Sequence, residues 1–170
     1  MRRSSRRILV AAVIVVATIG IGRQALGNGI ASVSAQGSDD ALMKAYVLDL
    51  GKVNGYLTAG EALAAARKTD RTVAADLQAM KEQDTETVAE ARAALKARPR
   101  VLGFFQKSGL SVDDVILIPR VLLAAGIAAE FPAAAGAATA AQIAFVKQNR
   151  PVLDRFQKLN KVLEDDGDEN

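Results

Sequence analysis

The chain has 170 residues, with 22 Lys and Arg against 19 Asp and Glu, no His, no Cys and no Trp, and half of it is hydrophobic. Without His or Cys, the usual zinc, haem and copper ligand sets, disulfides, and His- or Cys-dependent nucleophiles are excluded. Carboxylates, Lys and Tyr remain for acid–base work, and neither a metal nor a cofactor is expected.

In chain order, the first segment addresses the protein. Arg2, Arg3, Arg6 and Arg7 make a basic start, Ile8 to Gly22 is an unbroken apolar run, and Val33, Ser34 and Ala35 offer the small residues a signal peptidase accepts. This is the layout of an export signal, residues 1–35, with the cut expected after Ala35 and an earlier one after Ala31 as the alternative. The apolar run is 15 residues, short of the roughly 20 that span a bilayer, so removal is favoured over anchoring by residues 8–22. Arg6 and Arg7 also fit a twin-arginine start, but adjacent arginines are ordinary in a basic leader and the run is hydrophobic enough for the general route. Five of the basic residues and none of the acidic ones precede Gln36, which leaves 17 against 19 in residues 36–170, a net charge of −2. A nucleic-acid partner, which requires a basic domain face, is therefore not expected.

Residues 36–163 read as one helical domain. Leu42, Tyr46, Leu50, Val53, Leu57, Gly60 and Ala64 recur at steps of three and four, predicting one long helix with Ser38, Asp39 and Asp40 at its start. Gly51, Gly55 and Ala59 form a second strip where another helix could approach closely, although Asn54–Gly55 could equally break the helix. A helix follows over Thr72 to Lys81. Another, capped by Thr87 with Glu90, runs to about Ala97. Pro99 opens a helix over Arg100 to Lys107 that Gly109 closes.

Ser111 and Asp114 form a further capping box, with Leu110 and Val115 as its hydrophobic staple. They open a helix from Val112 to Ala129 that is apolar nearly all round, the signature of a buried central element, and Pro119 inside it predicts a kink. Phe131 to Ala138 is a connector, Thr139 and Gln142 make another capping box, and the last helical region bends where Arg150 meets Pro151. Residues 164–170 form an acidic tail expected to be disordered. The fold class predicted is all-α, a single helical bundle of about five or six helices around a buried, proline-kinked central helix.

No catalytic constellation emerges. Adjacent helical residues diverge by about 100°, so Asp113 and Asp114 do not face one cleft and are better explained as acids in a helix first turn. The tail from Glu164 to Glu169 lacks the ligand spacing of a calcium loop. Phe104, Phe105, Phe131, Phe145 and Phe156 lie on apolar faces or at helix ends and read as core. Arg120 is the one candidate ligand contact. Set in the most apolar helix just after Pro119, it would bind an anionic ligand at the kink, snorkel to the surface, or pair with Asp113 two turns earlier.

The segment Ser108 to Val115, the apolar helix after it, and Ile143 to Asn149 together resemble a pattern in uncharacterised small exported bacterial proteins. Gln142 or Ile143 stands where that pattern carries an Asn. The resemblance covers roughly the last third of residues 36–170 and implies an exported helical domain, with no site residue to carry over. The function expected is that of an exported, periplasmic or secreted, non-enzymatic protein that binds an envelope protein. The alternative is a carrier of a small apolar or lipid-like ligand in the bundle core. Membrane attachment is expected only if the signal segment is retained.

Overall fold

The computed structural model describes residues 29–83 and 85–164, with side chains from residue 37 onward apart from those of residues 132 and 135. Within these residues the chain is all-helical: α1 (Gly29–Ala45), α2 (Leu50–Thr69), α3 (Arg71–Glu82), α4 (Val88–Lys96), α5 (Pro99–Gln106), α6 (Val112–Glu130), a 3-10 segment (Pro132–Ala137), α7 (Ala140–Gln148) and α8 (Arg150–Glu164). The basic start and apolar run of the expected export signal, and the acidic tail beyond Glu164, lie outside the described residues. Ala31 and Ala35 fall inside α1. No helix among the described residues is long and apolar enough to cross a membrane.

Local capping signals build most of these elements as the sequence predicts. Thr87 with Glu90, Ser111 with Asp114, and Thr139 with Gln142 each close a reciprocal capping box, satisfying backbone donors that the first helical turn leaves free. Asp70 caps α3 through the amides of Thr72 and Val73. Gly109 takes a positive φ of 75° after α5, a conformation that L side chains resist.

The long helix expected from Leu42 to Ala64 is instead two. Tyr46 to Asp49 leave the helical path between α1 and α2, and Asp49 becomes an extended N-cap whose carboxylate accepts the Lys52 amide at 2.8 Å. The physical reason lies partly far away in the chain. Gln142 Nε2 donates at 2.8 Å to both the Met43 and the Tyr46 carbonyls, fixing the end of α1 where a continuous helix would need those oxygens for itself. Because α1 begins at Gly29, Ser38, Asp39 and Asp40 sit inside it rather than at a helix start, and α2 runs through Asn54 and Gly55 without a break.

α6 is the most buried helix, with 12 of its 19 residues shielded from solvent, and it continues through Pro119. It packs against α1, α2, α4, α7 and the 3-10 segment, while α8 lies along α2 and α7. At the centre, Tyr56 of α2 stacks on Phe105 of α5 with ring centroids 5.3 Å apart and lies 6.4 Å from Phe156 of α8. All three rings are essentially removed from water, the geometry in which aromatic pairs add to simple burial. The close helix approach occurs at Gly60 rather than on the Gly51–Gly55–Ala59 strip. A Cβ on Gly60 would come within 2.5 Å of Leu159 Cδ2, so the Leu159 side chain of α8 packs into the space this glycine leaves on α2.

Candidate functional site

α6 carries two buried charges, and the polar structure of the molecule is organised around them. Asp114, in its first turn, is 5 % exposed. Its Oδ2 accepts from the Ser111 amide at 3.0 Å and from Ser111 Oγ at 2.7 Å. Its Oδ1 accepts from the Tyr46 hydroxyl at 2.7 Å and from Lys52 Nζ at 2.9 Å. Burial pushes this carboxyl toward the neutral form, but the donors from Lys52, Ser111 and Tyr46 outweigh it and hold the pKa well below the ordinary carboxylate range. The Tyr46 phenol moves the other way, driven up first by its own burial and then by its bond to the Asp114 carboxylate. With both oxygens engaged twice, Asp114 has little acceptor capacity left for a substrate or a cation. It joins the α1–α2 connection, α2 and α6.

Arg120 is also 5 % exposed. It does not snorkel, and Asp113 is not its partner. Asp113 points outward and pairs with Arg92 of α4, Nη2 to Oδ1 at 2.8 Å. The acid nearest the Arg120 guanidinium is Asp39 of α1, whose Oδ2 lies 3.9 Å from Nη1. The same oxygen accepts the Val88 amide at 2.7 Å, so Asp39 also satisfies a free donor at the α4 N-terminus. Burial draws the Arg120 pKa down, with Asp39 and then Glu90 pulling it back. Nε and Nη2 of Arg120 have no hydrogen-bond partner among the described residues.

The sequence marks Tyr46 as a face residue and Asp39 as a helix-start acid, and nothing local marks either of them or Lys52 as a partner of the charges on α6. The signal that could have found two of them is their placement: Asp39 and Tyr46 are seven residues apart with Met43 between, on one side of α1 and its end. An arginine in an apolar helix also demands an acid from somewhere.

Two grooves flank α8. One, of about 300 Å³, lies between α6 and α8 beside Leu123, Ile127, Phe131 and Leu153, with Glu130, Lys161 and Glu164 also lining it. Phe131 is 61 % exposed there, so of the five phenylalanines it departs most from the expected core role, while Phe105 and Phe156 fulfil it. The other groove lies between α2 and α8. Among the described residues no cluster of acidic side chains gathers in a way that could hold a metal ion. No family model matches this chain, and no curated protein or solved structure does either.

Proposed function

We propose that this protein is exported to the periplasm or secreted and acts there by binding an envelope protein rather than by catalysis. The observation that supports a binding role is how the polar groups are used. Asp114, Tyr46, Lys52, Gln142 and Asp39 are all committed to holding helices together, and the grooves between α8 and its neighbours offer apolar-lined surfaces for recognition. The reading includes a single bundle built around α6, bent at Pro119, with Arg120 as part of its internal scaffold.

A carrier of a small apolar or lipid-like ligand is the second reading. The apolar concavities beside α8 favour it, and the filled aromatic centre of Tyr56, Phe105 and Phe156 moves its ligand from the core to the surface. Native mass spectrometry of the protein purified gently from its host envelope separates the two. A defined protein complex supports the first, a bound small-molecule mass supports the second, and a bare chain in every preparation removes both. An N-terminus beginning at Gln36 supports export with cleavage, whereas an intact one in membrane fractions replaces it with a tethered form.

A further inference from the structure

The groove between α2 and α8 has a volume of about 470 Å³ and is lined by Ala64, Ala65, Leu159 and Val162, together with the cations Lys68, Arg155 and Lys158. Its shape comes from the sequence. Gly60 lets α8 close on α2, and the two alanines project only a methyl each, so a trough stays open beside that contact. Val162 is 46 % exposed, an apolar side chain left to water.

The charges are one-sided. Glu61 is the acid lining this groove, and Arg155 holds both of its oxygens at 2.7 Å. Lys68 and Lys158 have no ion-pair partner among the described residues. Residues 36–170 are net negative, so this positive trough is a local feature rather than the overflow of a basic protein. The α6–α8 groove differs, because Glu130 and Glu164 line it beside Lys161.

Apolar walls beside unpaired cations suit a ligand that is apolar along its length and anionic at one end. A peptide would bring backbone N–H and C=O groups that these aliphatic walls cannot satisfy. A bilayer surface calls for apolar side chains that stand proud, whereas here they line a concavity. We propose that the α2–α8 groove binds a single-chain anionic amphiphile, its alkyl chain along Ala64, Ala65, Leu159 and Val162 and its head group at Lys68 and Lys158. The assignment rests on the carrier reading above and supplies its ligand class.

Calorimetric titration of the delipidated protein with laurate, below its micelle concentration, tests this. One laurate binds per chain, and dodecyltrimethylammonium, with the same tail and opposite charge, binds weaker by roughly ten-fold or more. Ala65→Phe, at an exposed helical position, fills the trough without touching a charge, and the double change K68Q/K158Q removes the head-group contacts. Each weakens laurate by roughly ten-fold, with thermal melts confirming that both variants fold. Equal affinity for the cationic amphiphile, several laurates adsorbed per chain, or binding unchanged by both variants overturns the assignment. So does binding seen only with phosphatidylglycerol vesicles, which marks a membrane surface. If laurate fails while native spectra of the same preparation carry another bound mass or a protein partner, this assignment falls and the binding function stands.

Discussion

Asp114 and Arg120 lie six residues apart on one helix and are equally buried, yet they are held in opposite ways. The carboxylate receives four hydrogen bonds from two neighbouring segments and its own N-cap. The guanidinium has one carboxylate at 3.9 Å and two nitrogens without an acceptor among the described residues. A buried carboxylate placed at a helix N-terminus meets donors that the backbone already supplies. A buried guanidinium in mid-helix meets carbonyls that mostly already accept helical hydrogen bonds, so its partners must come from other elements, and among the described residues Asp39 is the acid within ion-pair reach. The first arrangement stabilises the fold, and the second is tolerated by it.

The largest test of that contrast is Asp39→Ala. It strips the buried guanidinium of its counter-charge and the Val88 amide of its acceptor, and should cost about 3–5 kcal/mol in denaturant unfolding. Asp114→Ala follows at about 2–3 kcal/mol, because Lys52 and Tyr46 remain partly open to water once the carboxylate is gone. Tyr46→Phe removes one bond from the same hub and should cost about 1 kcal/mol. Arg120→Met should be the mildest, within about 1 kcal/mol of wild type on either side, since it deletes a charge whose hydrogen bonds are largely unmade. A loss of several kcal/mol in Arg120→Met would mean that the guanidinium is fully used and that the contrast is wrong.

Acidity sharpens the same comparison. The folded protein holds Asp114 below the ordinary carboxylate range, so its contribution is complete above the unfolded value of about 4. It is lost as pH falls further, through the depressed folded pKa. Unfolding curves collected down the acid limb should therefore be steeper in wild type than in Asp114→Asn. Equal slopes would remove Asp114 as a source of acid sensitivity.

What could be read from the sequence was local. The capping boxes at Thr87, Ser111 and Thr139 and the stop at Gly109 each involve residues within a few positions of one another, so the chain itself announces them. The joint between α1 and α2 was not announced, because the apolar period runs unbroken from Leu42 to Ala64. The groups that end α1 include a glutamine nearly a hundred residues away. Arg120 was legible as an anomaly but its partner was not. Asp113 is closer in sequence, yet it faces Arg92, and the acid that reaches the guanidinium comes from α1. The grooves along α8 depend on which small side chains meet across two helices, a relation that periodicity does not carry.

Gln142 has a consequence in time as well as in space. It caps α7 and, through the same amide, engages the last carbonyls of α1, at separations of 99 and 96 residues. A chain emerging N-terminus first presents α1 long before α7 has been made, and α1 alone is near the length at which isolated helices are marginal in water. The end of α1 can settle only after almost the whole domain has arrived. Contacts of such long sequence separation are slow to form. Among the described helices α1 is thus made first and locks late, its C-terminal end lacking the Gln142 restraint for most of synthesis.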